Sequence, residues 1–521
     1  MAYPVYRVDQ VRSLDEQTIA AGTSASSLMT EAGRAAYQCL RRYWPKVTAV
    51  CVLCGPGNNG GDGYVLARLA AEGGLSCTVV VLAPQKATEG AAVDARKAAL
   101  TAGVVEQALP EGLDSQADTE QTVFVDAMFG AGFRGQLHEQ FAIAADWLSK
   151  RRPRVLALDI SSGLNADTGV ASSNTVQAAV TITFIGYKLG LLTGAGPEYC
   201  GQLEYAALTV PDAIRGAVQA PVQSLDFPDV MQLRPRRTPS FHKGRAGKVL
   251  IIGGAPGMGG ATIMAAEAAS RVGAGTVNLF TSPEHVTSAL VRCPTVMVSG
   301  VEHPVLSEQF ADSEGAALLE SMHKASGALV LGPGLGQGAW GQSWVYWLKA
   351  ASTRPLVLDA DALNIIASLP NPEQYFHSVN AAGLVITPHP GEAARLLHVS
   401  VAEIQNDRYE AVKQLVKLSG ALVILKGAGT LVGWLDAGGR LRVEVCLAGN
   451  PGMASGGMGD VLSGVLGGLL AQGLSYVDAG RLGCCLHSEA ADRLTQTEGQ
   501  VGLLATDLPP MIRYLLHVKE S

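Results

Sequence analysis

Short runs of branched apolar residues, most of them followed by glycine or aspartate and then by a stretch with helical spacing, set the rhythm of this chain. Residues 47–54, 77–82, 122–126, 155–159 and 180–184 are the first such runs. They are too short for buried helices and lack polar alternation, so they predict strands of a largely parallel sheet covered on both faces. Ahead of them, residues 8–44 repeat with helical spacing. There Ser24 and Ser26 can cap a helix that aligns Leu28, Ala32, Ala35, Ala36, Cys39 and Leu40. A second series begins later, with strands expected at 248–252, 276–280, 328–331, 356–358, 384–387 and 422–425. Residues 431–435 and 441–445 flank a glycine-containing turn and predict a hairpin. Between the two series, residues 226–240 hold three prolines and three arginines with little periodicity, so the expected domains are 1–225 and 226–521.

A length of 521 residues supports this division, because one hydrophobic core rarely organises so long a chain. Hydrophobic residues make up 48% and charged residues 16%, and many of the 61 glycines cluster behind the apolar runs, which excludes a disordered or fibrous protein. The formal charge of -7 gives no basic footprint for nucleic acid. No uncharged apolar run reaches about 18 residues, and the first residues lack a basic start with an apolar core, so no membrane association is expected. Nine cysteines lie scattered in apolar segments of a chain too large to need a disulfide framework, which points to a reducing compartment, the cytoplasm. Cys51 and Cys54 form a CxxC, but strand alternation sends them to opposite faces, against redox or metal use.

Behind the first strand, residues 55–63 read Gly-Pro-Gly-Asn-Asn-Gly-Gly-Asp-Gly, formally GxGxxG at Gly55, Gly57 and Gly60. The next strand does not end in the acidic residue that holds a ribose, which argues against a conventional dinucleotide site, and no GK[ST] follows to make a Walker loop. A strand-loop-helix junction remains, with free amides facing an anion. Asp126 and Asp159 each end a strand and precede a glycine-containing loop, so three loops converge where open α/β sheets bind ligands. Oxygens of Asn59, Asp126 and Ser162 can enclose a hard cation, although the spacing does not force that choice. The plain alternatives are a tight turn and two loop-capping aspartates.

These stretches, with VDAMFGAGFRG and LDISSGLNADTG, resemble the YjeF N-terminal family, the NAD(P)H-hydrate epimerases, over residues 1–225. The resemblance implies a Rossmann-like three-layer α/β sandwich in which Asn59, Asp126 and Ser162 bind potassium. It also implies that Asn58, Asn59, Gly60, Gly61 and Asp62 contact the hydrated dinucleotide. Gly130, Ala131, Gly132, Phe133, Arg134, Gly135 and Gln136, together with Asp159, complete that contact. Asp159 is the candidate acid/base, because epimerisation at a hydroxyl-bearing ring carbon needs proton transfer. Lys188 is either a second polar group of this site or a solvated loop lysine.

In the second half, residues 450–460 read NPGMASGGMGD and lead into a helix bearing Val461, Leu462, Val465, Leu466, Leu469 and Leu470. Phosphoryl transfer needs an anion hole where charge accumulates and a carboxylate to take the proton of the attacking hydroxyl. Gly457, Gly459 and Asp460 supply both, whereas the plain reading makes Asp460 a helix cap. Lys426, Gly427, Ala428, Gly429 and Thr430 follow a strand and can place a lysine and amides against phosphates. His389 stands on a proline-flanked loop, and glycines at 253–260 and 332–336 allow close backbone approach.

This half resembles the ribokinase-like YjeF C-terminal family, the NAD(P)H-hydrate dehydratases, across 238–516. The resemblance implies ADP contacts at Lys426, Gly427, Ala428, Gly429, Thr430 and Gly459. It places the hydrate against Ala261, Gly334, Gly336, His389 and the catalytic Asp460. Magnesium would screen the phosphates, and ADP would leave as AMP and phosphate. The resemblance also implies a homo-oligomer, a tetramer or larger, since the kinase-like half generally forms tetramers and the epimerase half dimers. Met258 and Met458 stand where relatives carry smaller or polar residues. Two other readings stay open: a ribokinase-like small-molecule kinase with an N-terminal dinucleotide-binding regulatory domain, and a non-catalytic dinucleotide sensor.

Overall fold

The computed structural model describes residues 2–83, 90–109, 111–114, 119–311, 313–351, 353–380 and 382–517. The chain forms two compact units, Pro4–Val222, and Gln223–Ser521 with Met1–Tyr3. The proline-rich segment read as the boundary lies inside the second unit. Strand Val222–Leu225 pairs in parallel with Leu441–Cys446, and Val230 and Met231 of the following helix are buried in the same core.

The first unit is built on a seven-stranded parallel sheet. Its order is Val105–Ala108, Ser76–Val81, Ala49–Cys54, Thr122–Ala127, Val155–Leu158, Val180–Phe184, Gln202–Ala206. The alternating side chains of one strand feed two cores: Val50, Val52 and Cys54 pack with helices Ala25–Tyr43 and Asn58–Glu72, while Cys51 and Leu53 pack with Glu139–Ser149. A three-layer sandwich results, and the two CxxC sulfurs lie on opposite faces as expected. Ser24 caps Ala25–Tyr43 through the Ser27 amide. The order reverses between Ala49–Cys54 and Thr122–Ala127, and the crevice at such a switch point is where open α/β sheets take ligands.

The second unit repeats the logic. Seven parallel strands run in the order Met297–Gly300, Thr276–Thr281, Lys248–Ile252, Ala328–Leu331, Leu356–Leu358, Leu384–Ile386, Leu422–Leu425. The hairpin Thr430–Leu435 with Leu441–Cys446 continues the sheet antiparallel. Val249 and Ile251 face helices Gly259–Arg271 and Met458–Ala471, while Phe280 and the fully buried Trp344 meet edge-on across the other face. A Cβ at Gly464 would lie 2.0 Å from the Ala265 carbonyl oxygen, so only glycine lets the Met458–Ala471 helix pack this close to its neighbour. The switch point falls between Lys248–Ile252 and Ala328–Leu331.

All nine cysteines are free and buried, and among the described residues no helix is long and apolar enough to cross a membrane.

Candidate functional sites

At the first unit's switch point the chain leaves strand Ala49–Cys54 through Gly55, Pro56 and Gly57 and enters a helix at Asn58. Asn58 through Asp62 are therefore the first turn of that helix rather than a loop, and Asn59 is buried. Its Nδ2 donates to the Phe129 carbonyl at 2.9 Å, while its Oδ1, also buried, has no hydrogen-bond partner. Asp126 is fully buried and accepts the Ser162 amide and hydroxyl, both at 2.7 Å, and the Met128 amide at 3.2 Å. Burial lifts its carboxyl to about 6 against these bonds. Ser162 Oγ also lies 3.0 Å from the Phe129 amide and 3.5 Å from its carbonyl. Asn59, Asp126 and Ser162 are thus joined through Phe129.

Asp159 sits one step past its strand with φ of 63°, a strained value for a non-glycine residue. The strain aims both carboxylate oxygens. Oδ2 accepts the Ala131 amide at 3.1 Å, and Oδ1 pairs with the Lys188 ammonium. Lys188 is 1% exposed and donates as well to Thr183 Oγ1 at 2.9 Å and the Phe184 carbonyl at 2.8 Å. The solvated-lysine alternative is therefore wrong: Asp159, Thr183 and Phe184 take up the buried ammonium. Gly130 lies against the same group, its Cβ direction 3.4 Å from Asp159 Oδ2 and 3.5 Å from Asn59 Cβ. Burial, then the Asp159 charge, pushes the Asp62 carboxyl well above the usual range. Arg134 turns away to Asp167, and Gln136 accepts from Ser172 and Ser173, so these two shape the loop rather than meet Asp159.

In the second unit the two switch-point loops are tied together: the Gly254 amide donates to the Pro333 carbonyl and the Ala255 amide to the Gly334 carbonyl. Gly334 packs against Met258 and Ala261, and the Gly336 amide donates to Asp361 at 2.9 Å. His389 caps the helix Pro390–Leu397, its Nδ1 accepting the Gly391 amide at 2.9 Å and its Nε2 3.2 Å from Glu392. Burial, then the Lys426 and Arg395 charges, lowers its pKa, so a neutral ring with the proton on Nε2 fits both contacts.

The Lys426 ammonium, 22% exposed, lies 2.9 Å from Asp359 Oδ1 and 3.8 Å from Glu392 Oε2. What faces outward in this loop is backbone, turned by Gly427 at φ 131° and Gly429 at φ 60°. Arg408, 1% exposed, grips the loop from behind through the Leu425 and Lys426 carbonyls. Gly457 opens the Met458–Ala471 helix with φ of 94°, and Gly459 and Asp460 form its first turn. Burial, then the Asp359 charge, lifts Asp460 to about 7, with Lys426 opposing. Three side chains that the sequence reading passed over complete the cluster: Asp359, Glu392 and Ser463, whose hydroxyl donates to Asp359 at 2.7 Å. Asp359 ends a strand just as Asp126 and Asp159 do, which is the signal that could have found it.

Two switch-point sites, each with a strand-end aspartate over glycine-rich loops, mark a two-unit α/β protein with a ligand crevice in each unit. The family described as NAD(P)H-hydrate dehydratase matches residues 249–513, and that described as YjeF-related protein N-terminus matches 25–190. The bifunctional NAD(P)H-hydrate repair enzyme Nnr of Coxiella burnetii is 40% identical over 98% of this chain and 99% of its own length. The Escherichia coli enzyme of the same name is 40% identical over 97% and 92%. A solved ADP/ATP-dependent NAD(P)H-hydrate dehydratase from Bacillus subtilis is 25% identical, with a TM-score of 0.46 over 56% of this chain and 96% of that one. The chain belongs to the bifunctional NAD(P)H-hydrate repair enzyme family.

Proposed function

We infer that this chain repairs hydrated NADH and NADPH: residues 1–225 interconvert the two epimers of the hydrate, and residues 226–521 dehydrate the S form with ADP. The observation that carries the reading is the arrangement around Asp460. A raised carboxyl sits in the first turn of a glycine-opened helix, one residue from Gly459, whose Cβ direction lies 3.2 Å from the Lys426 ammonium.

In the dehydratase unit Asp460 takes the proton of the ring hydroxyl, and the hydroxyl oxygen attacks the terminal phosphorus of ADP, displacing AMP. Phosphate then leaves the ring carbon with the C–O electron pair, pushed by the ring nitrogen. Loss of a proton from the adjacent carbon restores the reduced nicotinamide. Lys426, residues 427–430 and Gly459 hold the nucleotide, while Ala261, Gly334, Gly336 and His389 hold the hydrate. Magnesium would be held by the nucleotide phosphates with at most one or two carboxylates of the chain.

In the epimerase unit Asp159 moves the proton that inversion at the hydroxyl-bearing carbon requires, with Lys188 holding its carboxylate in place. The orphaned Asn59 Oδ1 beside Asp126 and Ser162 fits a hard cation, and potassium would be held by these three. When bound it would supply positive charge to the crevice that takes the anionic dinucleotide. Nine unpaired buried thiols suit the cytoplasm, and a homo-oligomer is part of the same reading.

The test is recovery of reduced-nicotinamide absorbance from a mixture of both hydrate epimers with potassium, magnesium and either ADP or ATP. Full recovery with ADP supports both activities. A stable phosphorylated product without recovery would replace the dehydratase by a kinase.

A further inference from the structure

The loop that follows strand Leu356–Leu358 is held with unusual force. Ala360 is left-handed at φ 49°, and a Cβ on Gly332 would lie 1.9 Å from the Asp359 carbonyl oxygen, so no other residue at 332 fits beneath it. Strain of this kind persists where the surroundings over-determine a position, and it points to a functional constraint. What it positions is the Asp359 carboxylate, 1% exposed. One oxygen takes the Lys426 ammonium at 2.9 Å, and the other takes the Ser463 hydroxyl at 2.7 Å. Ser463 lies three residues beyond Asp460, on the same face of the same helix. The Cβ direction of Gly459 points 3.2 Å from Lys426 Nζ and 3.5 Å from Asp359 Oδ2, so the ion pair lies directly under the first turn of that helix.

We propose that Asp359 is a positioning residue for the dehydration step, clamping the Asp460 turn through Ser463 and Lys426 and setting a negative charge behind the Asp460 carboxyl. A buried ion pair gives little net stability, yet losing one partner strands the other, so such pairs hold position well. The Lys426 ammonium lies between the strand end, the Glu392 turn and the first turn of the Asp460 helix, so Asp359 holds all three in register. The charges that face Asp460 are Asp359, Lys426, Asp361 and Glu392. His389 is neutral, and so is His487 of the Tyr476–Glu498 helix, which burial lowers to about 4. Asp359 is the largest electrostatic contributor among them.

This inference rests on Asp460 being the base, so Asp460→Asn is measured in parallel; if that variant still dehydrates the hydrate, the functional reading fails whatever Asp359 does. With the full chain, kcat for dehydration is followed against pH for Asp359→Asn and Asp359→Glu, with melting curves as the folding check. Asn keeps the shape and removes the charge: the expected result is a fall in kcat of at least tenfold and a shift of the acid limb to lower pH. Glu keeps the charge and moves it: kcat should fall while the limb stays. A limb that does not move in folded Asp359→Asn overturns the proposal, because a merely structural residue would lower the rate without moving it. If Asp359→Asn does not fold, Ser463→Ala decides. A several-fold fall in kcat with little change in KM for ADP and hydrate supports the clamp, and an unchanged kcat overturns it.

Discussion

The proton-transfer roles proposed for Asp159 and Asp460 fall in different surroundings, and the difference sets what each substitution should show. Asp159 is pinned by the buried Lys188 ammonium and the Ala131 amide. Asp159→Asn keeps the shape and removes the basic carboxylate, so epimer interconversion, followed by chromatography of the two forms, should slow by about 10²–10⁴-fold. Dehydration of the S form by the same protein should be untouched. Asp460 lies nearer its switching point. With burial lifting it to about 7, it is largely protonated at pH 6, and a base must be ionised to act. Dehydratase kcat/KM should therefore fall as pH drops through about 7. The linkage to stability runs the opposite way: a carboxyl whose folded pKa is raised favours the fold below its ordinary range and loses that contribution as pH rises through about 7. Asp460→Asn should abolish dehydration and raise the melting temperature at pH 8, and an unchanged or lower melting temperature would contradict the burial argument.

The elements that carry these residues were legible in the sequence to different degrees, for physical reasons. Central strands such as Lys248–Ile252 and Val180–Phe184 are buried on both faces and announce themselves as unbroken apolar runs. Val105–Ala108, Gln202–Ala206 and Met297–Gly300 were missed because they are sheet edges, half-exposed and partly polar. Glycine clusters located both sites, since a backbone that must approach a ligand or another helix leaves that mark. Lys188 stayed undecided and Asp359 was passed over because a single charged residue looks the same whether it is solvated or buried against a partner distant in sequence. Helix packing yields a further expectation. Gly464→Ala drives a methyl group into the Ala265 carbonyl, an overpacking that costs about 1–3 kcal/mol. Denaturant unfolding should show the loss, and dehydration should decline with it, because the same helix carries Asp460. Epimerisation should hold, since its sheet and cores belong to the other unit.

For the molecule as a whole, two activities in one chain make sense if they depend on one another chemically. A dehydratase that accepts only the S hydrate strands the R form, and an epimerase alone returns no reduced nicotinamide. An Asp159→Asn chain given a mixture of epimers should recover reduced nicotinamide rapidly only up to the share present as the S form, then stall. Adding an Asp460→Asn chain, which keeps the epimerase site and lacks the dehydratase base, should restart recovery and carry it to completion. Neither variant alone can do so, and the mixture needs no contact between the two proteins if the epimers diffuse freely. A restart with a rate proportional to the added Asp460→Asn chain would show that the halves communicate through released substrate. A mixture that stays stalled, while each variant retains its remaining activity, would mean that the hydrate does not pass through solution.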